Sequence, residues 1–214
     1  MLRLPLSRSK KRKGEHRCMK INNTEITVVK GSVIDYPSKL IVNAANTRMR
    51  GGAGVDGAIH AKAGLGMLTE LQLVAPHGSF TSIPVLTHGY NMDQDWVLHV
   101  AGPRWKDGNS GEPFDLMLCY LNCLQMVDKL NYRLGPESVG GNDDDVIDEI
   151  AFPSISTGIF GYPLEKAADK AISSIMAYLN AHPTTKLTSI ALVMFKQDEF
   201  DAYSASLYLH QYPS

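Results

Sequence analysis

The chain has 214 residues, 44% hydrophobic and 20% charged, with 18 glycines and 11 prolines; these values exclude collagen-like, wholly disordered and disulfide-scaffold classes. A chain of this length buries roughly 70% of its unfolded surface, so one domain with a full core is expected. The net charge of −1 conceals an asymmetry: residues 1–20 carry eight basic side chains against Glu15, so residues 21–214 sum to −8.

Residues 1–20 read as a basic, disordered tail, and residues 21–214 as the domain. The run Lys10-Lys11-Arg12-Lys13 leaves several readings open: a solvated arm, a nuclear address met by an import receptor, a nucleic-acid arm, or an organelle leader. The acidic body argues against nucleic acid spread over its surface. No apolar stretch approaches the roughly 18 residues of a membrane span. Cys18, Cys119 and Cys123 are an odd count without a C-x-x-C pair, which points to a reducing compartment. The expected location is cytoplasmic, with nucleus or mitochondrion reached through the tail, and the expected state is a monomer.

From Ile21 short β-rich runs alternate with helical patterns. Residues 26–30 and 40–42 read as strands, then a glycine-rich turn, then a helix from about Val55. Residues 85–88 and 96–101 read as two strands joined by a short antiparallel connection. Leu116, Tyr120, Leu124 and Val127 set an amphipathic helix over residues 114–132. Residues 134–149 are polar, acidic and without period, and read as a surface loop. A strand over 150–155, a helix over 164–179 opened by Pro163, a buried strand over 190–195 and a helix over 199–209 complete the chain. The fold class is therefore α/β: a three-layer α/β/α sandwich with a mixed central sheet.

Two strand-to-helix junctions carry the candidate chemistry. One runs from Ile41 through Asn43, Ala45 and Asn46 to the glycine-rich stretch 51–57; the other spans residues 152–163. Ligands of open α/β sheets bind at the carboxyl ends of strands. Glycines let backbone N–H groups converge on phosphate, and a helix N-terminus favours the anion. Two such turns suit two phosphates. Residues 52–57 spell G-x-G-x-x-G, but eight residues separate Val42 from Gly51, whereas the dinucleotide fingerprint follows its strand directly. A P-loop is excluded by the absence of Gly-Lys-Ser/Thr. The amides of Asn43 and Asn46 suit sugar hydroxyls. Asp56 reads either as an N-terminal helix cap or as a site carboxylate, and His60 shares its helical face.

The motifs N-A-A-N (43–46), G-G-A-G-V-D-G-A-I-H (51–60), H-V-A-G-P (99–103) and F-P-S-I-S-T-G-I-F-G-Y-P (152–163) occur in order, and together they resemble a macrodomain of the MacroD type over residues 26–209. The resemblance implies an ADP-ribose-binding α/β/α sandwich. It further implies a hydrolase that removes ADP-ribose from modified acidic side chains and deacetylates O-acetyl-ADP-ribose, with ADP-ribosylated proteins as partners and no cofactor. The alternative is a reader module that binds ADP-ribose without turnover. Carried over by position, Asn46 would bond the distal ribose and Asp56 would direct water. Gly52, Ala53, Gly54 and Val55 would line the first diphosphate loop. Ser156, Thr157, Gly158, Ile159, Phe160 and Gly161 would line the second, and Phe195 would stack on adenine.

Two positions depart from the family pattern. Ser32 and Val33 follow Gly31 where relatives have Asp-Ile, so a neutral hydroxyl replaces the carboxylate that accepts from the adenine amino group. Ala53 stands where many relatives have glycine, adding a methyl and restricting φ. The zinc-containing branch of the family carries Cys and His in its loop; this loop has neither, so no zinc is expected.

Overall fold

The computed structural model describes residues 17–135 and 141–212. The elements in chain order are β1 (Arg17–Ile21), β2 (Thr24–Lys30), β3 (Leu40–Ala45), α1 (Gly54–Ala63), α2 (Leu65–Val74), β4 (Val85–His88), β5 (Trp96–Ala101), α3 (Glu112–Leu134), β6 (Glu149–Phe152), α4 (Leu164–Ala181), β7 (Ser189–Met194) and α5 (Gln197–Gln211). Seven strands form one sheet in the order β1-β2-β7-β6-β3-β5-β4. The five inner strands are parallel, while the edge strands β1 and β4 run antiparallel to their neighbours.

Strand alternation sorts side chains into two layers. On β3, Leu40 and Val42 join the large core beneath α3, α4 and α5, whereas Ile41 and Ala45 join the smaller core beneath α1 and α2. On β7, Ile190, Leu192 and Met194 face the first layer, and Ala191 and Val193 the second. Helices therefore cover both faces, giving the three-layer mixed sandwich that the alternating pattern implies. Among the described residues no helix is long and apolar enough to cross a membrane.

Several boundaries differ from the sequence reading, each for a local reason. Arg17–Lys20, assigned there to the tail, belong to β1, where Met19 is buried opposite Ile26. Residues 1–16 lie outside the described residues. The strand read over 40–42 extends to Ala45, because its parallel pairing with β5 continues to Ala101. The helix from Val55 is two helices, broken at Gly64 with φ of 83°. The strand read over 150–155 stops at Phe152, since Pro153 has no N–H for the ladder. The connection read as one long loop over 134–149 gives Leu134 to α3 and Glu149 to β6, and its part over 141–148 holds a short 3-10 turn, Asp143–Asp145, capped by Asn142.

Candidate functional site

Because β2, β7, β6, β3 and β5 are parallel, their carboxyl ends share one edge of the sheet, and the loops leaving them gather there. Asp56 lies in the first turn of α1 and is only 4% exposed. It is not the cap: Ala53 holds the cap position and offers no side-chain bond, which leaves the first N–H groups of α1 unclaimed by a cap. Instead the carboxylate turns toward the sheet. Oδ1 accepts from Asn43 Nδ2 at 2.7 Å, Oδ2 from Asn46 Nδ2 at 3.3 Å, and His60 Nε2 lies 3.4 Å from Oδ1. Burial raises the Asp56 pKa above the ordinary 3.8, against the downward pull of Asn43, His60 and Asn46. A carboxylate so placed is a stronger base than an exposed one.

Asn46 is fixed by its own loop. Its Nδ2 also donates to the Gly51 carbonyl at 2.9 Å, and its Oδ1 accepts from the Arg48 N–H at 3.0 Å. Asn43 differs from the sequence expectation of a sugar-binding amide. It is fully buried on β3 and its Nδ2 serves Asp56 and, at 2.9 Å, His99 Nδ1. Asn43 and His99 are paired across β3 and β5, so strand register brings them together. His99 Nε2 is 2.9 Å from Thr87 Oγ1 on β4, and that hydroxyl donates to the His88 carbonyl at 3.1 Å. Since Nδ1 accepts from Asn43, the ring proton belongs on Nε2. Burial, helped by the neighbouring His60, drops the His99 pKa to about 3, so the ring stays neutral. Asp56 is thus held by a chain of buried side chains that crosses three strands.

Beside Asn46 opens a cleft of about 530 Å3, lined by Asn46, Thr47, Arg48, Arg50, Gly51, Thr81, Gly102, Arg104 and Phe160. Two glycines keep it open. A Cβ on Gly52 would stand 2.8 Å from Asp56 Oδ2, and one on Gly102 would lie 2.1 Å from Ser156 Oγ. Ala53, by contrast, is extended and exposed, with φ of −105°, so its extra methyl imposes no strain; within residues 51–57 the positive φ angles fall on Gly51 and Gly54.

The loop after β6 forms the opposite wall. Ser156 is buried with a left-handed φ of 68°, and Tyr162 N–H closes onto its carbonyl at 3.0 Å. Thr157 Oγ1 donates to Ser154 Oγ at 2.7 Å, and Ser154 Oγ lies 3.1 Å from the Tyr203 hydroxyl on α5, which anchors the loop to the core. Among the described residues, the N–H groups of Thr157, Gly158, Ile159 and Phe160 meet no protein acceptor. Ile159 is 76% exposed, and the half-buried Phe160 carries the Arg104 guanidinium 4.8 Å from its ring centroid.

A second group of expected residues lies farther along the same edge. Lys30 and Met194 pair at the ends of β2 and β7, so Ser32 and Phe195 follow the ends of two neighbouring strands. Phe195 is 72% exposed. Ser32 is half-buried and precedes the 3-10 turn Val33–Asp35 without capping it. Val33 and Ala45 are buried in the smaller core, which leaves only their backbone for a ligand. Asp35 Oδ1 lies 3.6 Å from Lys62 Nζ. Cys119 and Cys123 are buried within the large core. Among the described residues, no group of three His, Cys, Asp or Glu side chains is placed to hold a metal.

Sequence reasoning missed Thr81, Gly102 and Arg104 in the cleft and His99 behind Asp56. Gly102 and Arg104 were within reach of the strand-end rule, since they directly follow β5.

The family model described as Macro domain matches residues 42–171. A Macro domain-containing protein of Caldanaerobacter subterraneus is 34% identical over 182 residues, covering 84% of this chain and 94% of that protein. O-acetyl-ADP-ribose deacetylase 1 of Pantoea vagans is 36% identical over 181 residues, covering 84% and 96%. Among solved structures, an Oceanobacillus iheyensis macrodomain variant with ADPR superposes with a TM-score of 0.79 at 28% identity, covering 92% of this chain and all of that one.

Proposed function

Since the chain belongs to the macro domain family, we propose that it binds ADP-ribose and hydrolyses its esters, both those on acidic protein side chains and O-acetyl-ADP-ribose. The observation that carries this reading is the buried Asp56 carboxylate, hydrogen-bonded to Asn46 at the wall of an open cleft between two loops of unclaimed N–H groups. In this reading adenine rests against Phe195 with Ser32 at its edge. The diphosphate spans the amides of Gly52–Val55 and Thr157–Phe160, and the distal ribose sits in the cleft against Asn46 and Phe160.

Asp56 then takes a proton from a water held against the ribose. For an acidic-side-chain ester, the water oxygen bonds to the anomeric carbon. The bond from that carbon to the acyl oxygen breaks, and its electron pair leaves on the carboxylate. Such a leaving group has a conjugate acid of pKa near 4 and needs little protonation. For O-acetyl-ADP-ribose, the water oxygen bonds to the acetyl carbon, the bond from that carbon to the ribose oxygen breaks, and the ribose oxygen takes the proton that Asp56 had accepted, releasing acetic acid, which ionises to acetate. A serine-linked ADP-ribose would leave as an alkoxide without a proton donor, so it is expected to be a poor substrate.

The test pairs calorimetric binding of ADP-ribose with release of free ADP-ribose from a glutamate-linked, mono-ADP-ribosylated protein. Binding together with release supports the hydrolase. Binding without release makes the chain a reader, and failure of both limits the inference to the fold.

A further inference from the structure

Three arginines line the exposed side of the cleft. Arg48 and Arg50 lie just beyond Asn46 on the loop after β3, and Arg104 lies on the loop after β5. The cleft's walls carry these three arginines and no carboxylate. All three are exposed, and among the described residues none forms an ion pair with a carboxylate. They are nonetheless placed rather than loose: Arg50 donates to the Pro76 carbonyl at 2.7 Å, Arg104 lies over Phe160, and the Arg48 backbone is bonded to Asn46. The cluster stands out in a chain whose residues 21–214 sum to −8. Like charges gathered at one mouth repel one another unless an anion meets them there.

In the hydrolase reading the ester's acyl carrier approaches past these arginines, because they line the same cleft as Asn46, with Asp56 buried behind it. We propose that the arginine rim receives the protein segment bearing the ADP-ribosyl ester, and that it selects segments with Asp or Glu flanking the modified residue. This rests on the hydrolase reading above. Extended residues lie about 3.3 Å apart, so flanking carboxylates two positions away come within reach of a rim of long side chains. Each exposed guanidinium–carboxylate pair contributes about a two- to fivefold preference, which salt weakens.

The experiment uses three peptides, each with one glutamate-linked ADP-ribose, flanked by acidic, neutral or basic residues, together with O-acetyl-ADP-ribose, which has no peptide. The wild-type chain is expected to favour the acidic over the neutral peptide by about tenfold in kcat/KM at low salt, with the preference shrinking at high salt. The pair Arg48→Gln and Arg50→Gln is expected to cut that preference to the roughly two- to fivefold left to Arg104, read as the acidic-to-neutral ratio on one preparation so that any change in O-acetyl-ADP-ribose turnover cancels. Arg48→Gln alone, which disturbs no hydrogen bond of its guanidinium, should lose part of it. Equal rates on the three peptides, or a preference as large in the double variant as in the wild-type chain, would overturn the proposal. So would tighter competition by a short single-stranded DNA than by an unmodified acidic peptide, which would assign the rim to a nucleic-acid backbone. If no ester is turned over, the hydrolase reading has failed; the three peptides are then compared by affinity, and equal affinities overturn the rim as well.

Discussion

Asp56 owes its raised pKa to burial, and the Asn43 and Asn46 amides limit the rise. As the proposed general base, Asp56 must be ionised, so kcat/KM should fall on the acid side around a pKa above the usual aspartate value. Asn43→Ala removes the shorter of the two amide bonds and should move that limb to higher pH, costing more activity at pH 6 than at pH 8. A limb that stays put, in a variant with an unchanged melting curve, would remove Asn43 from the account. His99 makes a second, separable prediction. Its pKa of about 3 in the fold lies below the unfolded value near 6.5, so the unfolded chain binds the extra proton. Stability should therefore be lost as pH falls below about 6.5, by roughly 1.4 kcal/mol per pH unit, and His99→Gln should flatten that slope in denaturant titrations. Neither role was visible in the sequence. Asn43 was read as part of a loop because the strand was ended at Val42; once β3 runs to Ala45, alternation places Asn43 on the inward face with Ile41. His99 and Thr87 meet Asn43 only through strand register, which a single sequence does not display.

At the scale of elements, the glycine-rich loops were legible because each follows an apolar run and precedes a helical period, with Asn46 and Asp56 ten residues apart across the first. What the sequence reading left without a role was the loop after β5, which supplies Gly102 and Arg104. Its shape is secured by Glu112 at the start of α3, whose carboxylate accepts the N–H groups of Lys106, Asp107, Gly108 and Ser110. Gly102 packs so closely on the loop after β6 that no side chain fits: an added Cβ would also come within 2.6 Å of Ile155 Cγ2. Gly102→Ala should therefore push Ser156 and its neighbours outward, lower stability by about 1–3 kcal/mol and weaken ADP-ribose binding at least tenfold. Calorimetry and thermal melting measure both, and a variant that binds normally would show that the two loops do not act as one wall. Strand β1 was hidden for a different reason. Only Met19 of its five residues is buried, so its pattern merges with the basic tail.

The whole molecule places its chemistry by topology. Five parallel strands send every functional loop to one edge, the two antiparallel edge strands close the sheet, and two helical layers bury it. Asp56 joins these scales, since it lies in the first turn of a helix of one layer, is held by a residue of β3 and reaches, through its bond to Asn46, a cleft lined by four loops. Binding and turnover should then separate in one variant, because in the proposed pose the amides of the loops hold the ligand whether or not the carboxylate is present. The most direct test is single-turnover release of ADP-ribose from a glutamate-linked substrate by Asp56→Ala, with the affinity for ADP-ribose measured on the same preparation. The account predicts a rate at least about 100-fold below wild type with affinity within a few-fold. Release at the wild-type rate by a variant that still binds would contradict it.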